Sequence, residues 1–311
     1  MSNAMAIDVL GLGAVAVDDI LYAETYPPPD AKAHVTRMER HCGGLAATAL
    51  VAAARLGARC AYAGMLGNDG LSAFALSCME REGIDTSAIE RAPAAGPVHS
   101  HIIVGQQRGT RNIFSYEPRL VGASMHTSAA LITSCRVLLV DHLGVPGMIR
   151  AARLARRARI PVVADIESDR HPRIQELLDL ADHLIASQSF AERLTGATSP
   201  ERAVRKLARA DRQVAAVTCG AEGCWFLAQG ESKPRHQPAF RVEAVDTTGC
   251  GDVFHGAYAF AMARGMALQE RVRFASATAA LKATRPGGQD GIPVLRTVRR
   301  YLRREGHREE A

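Results

Sequence analysis

From about residue 130 onward, hydrophobic and polar residues form an alternating series of short and long segments. Short runs rich in valine, leucine and isoleucine predict buried strands, and the longer segments between them carry apolar residues at helical spacing. Parallel strands need crossover connections of this kind, so the pattern predicts a mostly parallel sheet covered by helices. The predicted strands are residues 137–141, 161–165, 183–186, 214–218 and 224–228, and the predicted helices include 147–159 and 200–210.

The chain before residue 130 has a different pattern. Segments 33–40 and 98–116 are strand-like, but polar residues alternate with apolar ones and no helical pattern interrupts them. Such alternation predicts a small sheet with one exposed face, built from about residues 14–42 and 96–118. Between them, an alanine-rich helix is predicted at 46–56, followed by Gly57, the residue expected just past a helix end. The sequence therefore predicts an α/β fold with a small β-sheet attached to the main body.

Composition and length exclude a membrane protein. The 311 residues are 47% hydrophobic, and no segment approaches the roughly 18 uninterrupted apolar residues of a membrane span. The opening residues MSNA are typical of an expression-vector remnant, and neither a cationic segment nor a small-residue cleavage site follows them. We therefore expect a cytoplasmic protein with no membrane partner, an α/β body over about residues 5–305 and a short tail over 306–311.

Charge and cysteine content do not point to nucleic acid or to disulfides. The 38 basic and 32 acidic residues give a net charge of +6, with arginine-rich runs at 150–159 and 296–304. In the second run, apolar residues recur at helical spacing, which places the arginines on the solvated face of an amphipathic helix. The seven cysteines are widely spaced and form no CxxC pair, so we expect reduced thiols.

The segment DTTGCGDVFHG at 246–256 stands directly before a predicted helix that runs to about residue 264. Its glycines allow close approach of a ligand, and the N–H groups of Gly249, Cys250 and Gly251 are expected to form an anion hole for a phosphate at the helix N-terminus. Asp252 fits two roles. It stabilises the start of the helix, or it accepts a proton from a hydroxyl group beside the bound phosphate.

A second glycine motif resembles a dinucleotide-binding loop but lacks the helix that such a loop requires. Gly11, Gly13 and Ala16 have the spacing of the dinucleotide fingerprint after a hydrophobic strand. The chain then continues through a β-rich segment to three prolines at 27–29, which leaves no room for a crossover helix. The sequence therefore does not favour a nicotinamide-dependent reductase.

Taken together, the motifs resemble those of the ribokinase-like (PfkB) carbohydrate kinases. The resemblance covers nearly the whole chain: Asp18 after GLGAVAV, the pair Gly43-Gly44, TCGAEG at 218–223, the 246–256 segment and TRPGG at 284–288. It implies a three-layer α/β/α sandwich with a mostly parallel central sheet and a β-sheet lid over the sugar. It also implies phosphorylation of a sugar hydroxyl by ATP, with Mg²⁺ as cofactor.

The resemblance also implies a role for individual residues. Asp252 is expected to be the general base and the amides of Gly249, Cys250 and Gly251 the anion hole. Asp18, Gly43, Gly44 and Thr48 are expected to bind the sugar, with Lys32 as a cation for an anionic substrate, and Thr218, Gly220, Gly223 and Ser187 are expected to bind ATP. Asp246 and Thr248 match positions at which some members bind a monovalent cation such as K⁺.

Two departures from the family pattern leave the substrate open. The family's Asn-x-x-Glu, which organises magnesium, is replaced by SQSF at 187–190, and Thr48 stands where many ribokinases have asparagine. Segments 236–260 and 273–288 look closest to sulfofructose kinases, although Leu143 and Ser115 replace the arginine and the amide of that branch. The main interpretation is a kinase of a ketose or a ketose-like sugar. The alternatives are a 6-deoxy-6-sulfofructose kinase and a non-catalytic sugar-binding or regulatory protein.

Two further expectations concern the predicted small sheet. His99 and His101 lie on one face of a strand, but no third ligand follows in the sequence, so we interpret them as part of a solvated surface rather than a metal site. An uncovered sheet also tends to pair with another copy, so a homodimer is expected.

Overall fold

A computed structural model describes residues 7–107 and 110–309, so the predicted vector remnant at 1–4 lies outside the described residues. In chain order, the strands are β1 (Ile7–Leu12), β2 (Ala16–Ala23), β3 (Val35–Gly43), β4 (Cys60–Tyr62), β5 (Met65–Leu66), β6 (Glu90–Arg91), β7 (Val98–Gly105), β8 (Thr110–Tyr116), β9 (Cys135–Val140), β10 (Val162–Asp165), β11 (His183–Ser187), β12 (Val214–Thr218), β13 (Cys224–Ala228) and β14 (Arg235–Gln237). The helices are α1 (Leu45–Arg55), α2 (Gly70–Arg81), α3 (Ala129–Ser134), α4 (Val145–Arg157), α5 (Ile174–Leu180), α6 (Gln188–Thr195), α7 (Pro200–Leu207), α8 (Cys250–Ala263), α9 (Leu268–Ala283) and α10 (Leu295–Glu309).

The main sheet has eight strands in the order β14-β13-β12-β11-β10-β9-β1-β4. The six strands from β12 to β4 pair in parallel, and β13 and β14 add an antiparallel edge. In a parallel sheet of this kind, ligands bind beyond the carboxyl ends of the strands. The ends of β1, β9, β10 and β12 are therefore the expected place for a site.

Helices cover both faces of the main sheet. Val9 and Leu139 point into a core formed with α1, α8 and α9, whereas Leu10 and Leu138 point into a second core formed with α4 to α7. Neighbouring residues of one strand thus serve opposite cores, which is why these strands are apolar on both sides rather than alternating. The structure confirms the predicted three-layer α/β/α sandwich.

The remaining long strands form a separate four-stranded sheet in the order β3-β2-β7-β8, here called the small sheet. Strand β2 pairs with β7 in parallel, and the other two pairs are antiparallel. One face carries Asp18, His41 and Ser100, which lie opposite each other in the register, and the other carries Asp19, Arg40 and His101. Strands β2, β7 and β8 fall within the segments 14–42 and 96–118 from which the small sheet was predicted, and β3 ends one residue beyond the first segment.

The helices of the body begin and end close to their predicted positions. Gly57, just after α1, has a φ of +96°, and Gly265, just after α8, has a φ of +72°, the left-handed region that favours glycine at a helix end. The chain after Gly13 enters strand β2 instead of a helix, as the sequence predicts. In α10, Val298 is fully buried, as its amphipathic pattern requires. Among the described residues, no helix is both long and apolar enough to cross a membrane.

The expectation of seven reduced thiols is wrong for two of the cysteines. Cys42 at the end of β3 and Cys78 in α2 form a disulfide, with their Cα atoms 6.6 Å apart. They are 36 residues apart in the sequence, and only the packing of the small sheet against α2 brings them together. The spacing of cysteines alone therefore could not reveal the pair. The other five cysteines are free.

Candidate active site

The start of α8 is the position at which the sequence predicts phosphate binding. Gly249 caps the helix with a φ of +75°, and its carbonyl oxygen accepts a hydrogen bond from the N–H of Val253. Within the described residues, the N–H groups of Gly249 and Gly251 make no hydrogen bond. Free amides at a helix N-terminus are suited to an anion, because they supply donors and the positive end of the helix dipole.

The structure corrects the expectation that three consecutive amides are free. The N–H of Cys250 donates to the carbonyl oxygen of Thr247 at 3.2 Å, which closes a tight turn before the helix. Cys250 therefore contributes its position in the turn rather than a donor for the ligand. Within the described structure, the amides still free for the predicted anion hole are those of Gly249 and Gly251.

Asp252 lies in the first turn of α8 and is half-buried. Burial and the nearby carboxylates of Asp165, Glu167 and Asp141 raise its pKa well above the ordinary value for aspartate. Burial and like charges thus outweigh the helix dipole, which alone would favour the ionised form of Asp252. A carboxylate with a raised pKa is a stronger proton acceptor once it is ionised.

Asp18 and Gly43 come together at the paired ends of β2 and β3. A Cβ atom on Gly43 would lie 2.8 Å from Oδ2 of Asp18, so only glycine leaves this carboxylate its space. Burial raises the pKa of Asp18, against the effect of a hydrogen bond from Ser100 and the nearby His41 and His99. The result is a partly buried carboxylate acceptor whose neighbour on β3 is a glycine.

Gly44 joins the small sheet to α1. Its φ is +95°, and a Cβ atom there would lie 2.6–2.8 Å from backbone atoms of Ala14, Val15 and Ala16. No other residue fits this close approach, so the local geometry requires glycine at both Gly43 and Gly44. The backbone of β3 therefore turns directly into α1 at this glycine pair, beside Asp18, which the sequence predicts to bind the sugar.

Thr48 connects this region with the anion hole. It lies in the first turn of α1, and its methyl group would be 3.4 Å from a Cβ atom on Gly249. Its hydroxyl oxygen accepts a hydrogen bond from the side-chain amide of Gln289 at 3.1 Å. The predicted sugar-binding and phosphate-binding residues thus lie at one contiguous site, with Thr48 between them.

A cavity of about 570 Å³ opens beside the start of α8. Thr218, Gly220 and Gly223 line it on one side, and Cys250 and Gly251 line it on another. Its remaining walls are largely apolar, with Phe240, Val242, Phe254, Ala279, Ala280 and Ala283 among them. The predicted nucleotide loop and Gly251 of the predicted anion hole therefore face one cavity, whose polar and apolar parts suit the phosphates and the base of a nucleotide.

Two predicted residues lie away from these contacts. Lys32 is exposed in the loop between β2 and β3, at the end of that hairpin opposite Gly43. Ser187 pairs with Thr218 at the ends of β11 and β12, but it does not line the cavity, and its hydroxyl oxygen accepts a hydrogen bond from the N–H of Phe190 at the start of α6. The structure gives Ser187 a helix-capping role and separates Lys32 from Asp18.

The two residues expected to hold a monovalent cation contact cationic side chains of the protein instead. The ammonium group of Lys282 donates to the carbonyl oxygen of Asp246 at 2.9 Å, and the guanidinium of Arg111 donates to the hydroxyl of Thr248, also at 2.9 Å. Partial burial acts to raise the pKa of Asp246, but hydrogen bonds from Thr248 and the charge of Lys282 bring it below the ordinary value. The carbonyl oxygen of Asp246 and the hydroxyl oxygen of Thr248, which would bind a cation, therefore already accept hydrogen bonds from Lys282 and Arg111.

The histidines of the small sheet do have a third neighbour, contrary to the expectation from the sequence. Asp19 lies 2.8 Å from Nε2 of His99 and 4.0 Å from Nε2 of His101, across the parallel pair β2–β7. Arg40, however, donates to both carboxylate oxygens of Asp19, at 2.6 and 2.8 Å, and is the main reason why the pKa of Asp19 falls to about 2. We interpret this group as an ion-pair network on the surface of the small sheet.

Comparison with known protein families agrees with this geometry. Residues 6–295 match the pfkB family of carbohydrate kinases. The chain belongs to this family. Members of this family are carbohydrate kinases, so this protein is a carbohydrate kinase. The family resemblance stated from the sequence is confirmed.

Several ribokinases resemble this pfkB-family chain over nearly its whole length. Ribokinase from Haemophilus influenzae is 28% identical and covers 94% of this chain and 97% of its own. Mouse ribokinase is also 28% identical and covers 94% of each chain. A crystal structure of a candidate ribokinase from Agrobacterium tumefaciens superposes with a TM-score of 0.89 at 30% identity, covering 97% of this chain and 99% of its own.

Arabidopsis thaliana ribokinase, crystallised with ribose and ATP, shares the fold at a TM-score of 0.86 and 24% identity, covering 96% of this chain and 99% of its own.

For a pfkB-family kinase, the carboxylates near Asp252 are a suitable place for Mg²⁺. Oδ2 of Asp165 is buried and has no hydrogen-bond donor among the described residues. Nδ1 of His255 lies 3.1 Å from it, but this nitrogen faces the carbonyl oxygen of Gly251 at 2.8 Å. Mg²⁺ prefers carboxylate oxygens together with phosphates and water, so Asp165 and the nearby Glu167 fit the ion. The sequence motif alone did not indicate these residues.

Sequence reasoning also missed Lys282 and Arg111. Lys282 shares the buried face of α9 with Phe274 and Thr278, at spacings of four and eight residues, so a lysine on an otherwise buried helix face was the available signal. Arg111 gave no comparable signal, because a polar residue is ordinary in a strand such as β8, all of whose residues are exposed.

Proposed function

We propose that this kinase transfers the γ-phosphoryl group of ATP to a hydroxyl of a small carbohydrate, with a ketose or a ketose-like sugar as the favoured substrate. Asp252 accepts the hydroxyl proton, the sugar oxygen bonds to the γ-phosphorus, and the bond to the β,γ-bridging oxygen breaks to release ADP. One observation supports this most strongly: the glycine-capped start of α8, which carries Asp252, opens into the same cavity as the predicted nucleotide loop.

Each group has a defined task in this reaction. The amides of Gly249 and Gly251 stabilise the charge that develops on the transferring phosphoryl group, since they are fixed donors at a helix N-terminus. Asp252, one residue further, receives the proton from the attacking hydroxyl. Mg²⁺ neutralises charge on the ATP phosphates when it is bound, and Asp165 and Glu167 are the residues that would hold it.

The sugar lies, in this proposal, between Asp18 and the start of α8. The Asp18 carboxylate accepts hydrogen bonds from two sugar hydroxyls, in the space that Gly43 leaves open beside it. On the other side, Thr48 offers one small hydroxyl, and its methyl group faces Gly249. Lys32, the cation expected for an anionic tail, lies at the far end of its hairpin, so a neutral sugar is favoured over a sulfosugar.

The decisive experiment is a screen for sugar-dependent ADP release. Aldoses, ketoses, hexose phosphates, nucleosides and 6-deoxy-6-sulfofructose are offered with MgATP, and the product of the best substrate is identified by mass spectrometry. We expect release with a neutral ketose. Sugar binding in calorimetry without ADP release from any sugar would instead support a non-catalytic binding protein, and preference for the sulfosugar would contradict the neutral-substrate proposal.

The proposed working form is a cytoplasmic homodimer. Met38, Phe114 and Tyr116 are 68%, 55% and 68% exposed, and the strand register places all three on the same face of the small sheet as Asp19. Apolar side chains grouped on an exposed sheet face favour association with a second copy. Sedimentation that shows only monomer at micromolar concentration contradicts this part of the proposal. The cytoplasm is the compartment that supplies ATP, although the Cys42–Cys78 disulfide is unusual there.

A further inference from the structure

We infer that the ammonium group of Lys282 takes the position of a bound monovalent cation at the phosphate-binding loop, so that this kinase works without K⁺. The inference rests on the proposed kinase activity and adds to it a residue with an electrostatic role. The phosphate-binding loop is defined here as residues 246–251, which lead into α8.

The burial of Lys282 is the first observation. Its side chain is 0% exposed, although lysine is the residue least suited to full burial and ordinarily extends its ammonium group to water. A buried ammonium group is strongly disfavoured unless it has good acceptors. The acceptor is the backbone carbonyl oxygen of Asp246, at 2.9 Å. A charged group is thus kept in the interior at the first residue of the loop.

The loop is folded around this contact. The carboxylate of Asp246 accepts the N–H of Thr248 on one oxygen and the N–H of Gly287 on the other, both at 2.9 Å. The N–H groups of Val245 and Asp246 donate to the carbonyl oxygen of Ala283, the residue after Lys282. The side chain and both backbone groups of Asp246 therefore have partners, and the partner of its carbonyl oxygen is the ammonium group.

The charge of Lys282 also reaches the start of α8. The Cys250 thiol lies 3.5 Å from the carbonyl oxygen of Ala279, three residues before Lys282 in α9. Burial raises the pKa of this thiol, and the charge of Lys282 acts in the opposite direction. A positive charge there favours an anion at the adjacent amides of Gly249 and Gly251. This is the effect that a monovalent cation would have at the same loop.

A separate cation does not fit beside these groups. A K⁺ ion at Asp246 and Thr248 would compete with Lys282 for the carbonyl oxygen and with Arg111 for the threonine hydroxyl. It would also lie near a buried positive charge in a region of low dielectric, where repulsion between like charges is strong. The residues of this chain therefore do not fit the K⁺ expected from the family resemblance.

The test compares Lys282→Ala with the unmodified chain in potassium, ammonium, sodium and choline chloride at equal ionic strength. For the unmodified chain, we expect the same turnover and the same melting temperature in all four salts. For Lys282→Ala, turnover in choline should fall about 100-fold, the lower end of the effect of losing one electrostatic stabiliser of the transition state. Potassium or ammonium, which fill the vacated space, should restore much of the turnover and raise the melting temperature.

Lys206→Ala is the matched control. The ammonium group of Lys206 also donates to a backbone carbonyl oxygen, that of Thr195 at 2.8 Å, but it lies on the exposed surface of α7. Its removal should leave turnover and salt response unchanged.

Three results would overturn the inference: activation of the unmodified chain by K⁺, a Lys282→Ala variant that no cation rescues, or equal rescue of Lys206→Ala. If Lys282→Ala does not fold, the larger Lys282→Met variant replaces it in the stability measurement, and the K⁺ response of the unmodified chain still decides. Absence of phosphoryl transfer in every salt would contradict the proposed function instead, and the melting temperatures would then test the cation site by themselves.

Discussion

Replacing Gly256 with alanine tests how closely the two helices at the site are packed. Gly256 lies in α8, and a Cβ atom there would meet the carbonyl oxygen of Ala49 in α1 and lie 2.7 Å from its carbonyl carbon. Ordinary contacts of Cβ atoms begin at 3.4 Å, so the carbon alone requires a shift of 0.7 Å and the oxygen a larger one. The obstacle is backbone, which cannot rotate away as a side chain would.

Two effects of opposite sign decide the result. Alanine in place of glycine stabilises a helix interior by about 1 kcal/mol. Overpacking of a close contact costs about 1–3 kcal/mol, and a rigid backbone neighbour places this site at the upper end. The clash therefore outweighs the helix propensity, and we expect Gly256→Ala to lower the free energy of unfolding by about 2 kcal/mol.

Gly306→Ala provides the matched control for this prediction. Gly306 lies within α10, and a Cβ atom there would have nothing within 4 Å. The same chemical change without the clash should stabilise the protein by roughly 0.5–1 kcal/mol. Urea unfolding followed by circular dichroism measures both variants. The reasoning is refuted if Gly256→Ala is as stable as the unmodified chain, or if the two variants shift stability in the same direction.

Three further predictions concern the site and the core. Asp252→Asn should remain folded while turnover, measured by steady-state kinetics, falls about 10²- to 10⁴-fold with little change in ATP or sugar affinity. Near-normal turnover would show that Asp252 only stabilises the helix. Asp18→Ala should lose about 2–5 kcal/mol of sugar affinity in calorimetry, because a charged acceptor in a closed site is removed, and an unchanged affinity contradicts the assignment. Burial lowers the pKa of His183 from its ordinary 6.5 to about 3, so the folded state keeps it neutral. The stability that depends on this neutral form is complete above pH 6.5 and is lost as the pH falls towards 3, by up to about 5 kcal/mol. His183→Asn should therefore show a shallower loss of stability between pH 6.5 and 4 in urea titrations, and equal slopes for the two proteins would be the contrary result.

The layers and the strand–helix order could be predicted from the sequence because they depend on local patterns. The strand predicted at 214–218 is β12, Val214–Thr218, and the helix predicted at 46–56 is α1, Leu45–Arg55. Glycine positions were equally informative, since Gly57 and Gly249 each have a φ that requires glycine and can be recognised by their place beside a helix. Elements that owe their form to neighbours in the chain were therefore predictable.

Contacts between distant segments could not be predicted from the sequence. Arg111 reaches Thr248 across 137 residues, Lys282 reaches Asp246 across 36, and Cys42 and Cys78 meet only because the small sheet packs on α2. A sequence pattern indicates that a residue is polar or buried, but the identity of its partner depends on the tertiary fold. The hydrogen bond from the N–H of Cys250 to the carbonyl oxygen of Thr247 is a different case, since it forms within a single tight turn.

The relative positions of the groups at the site depend on helix α1 more than on any long side chain. The turn at Gly43-Gly44 fixes where the small sheet, and with it Asp18, meets the first turn of α1. The methyl group of Thr48 then lies against Gly249, and Ala49 lies against Gly256, so two successive residues of α1 contact the start and the middle of α8. The spacing between Asp18, the proposed sugar-binding acid, and Asp252, the proposed base, is therefore set by backbone contacts through small residues. These contacts transmit strain because small residues cannot adjust by rotamer changes. For this reason we expect Gly256→Ala to lower turnover as well as stability, since any movement of α1 away from α8 also separates Asp18 from Asp252.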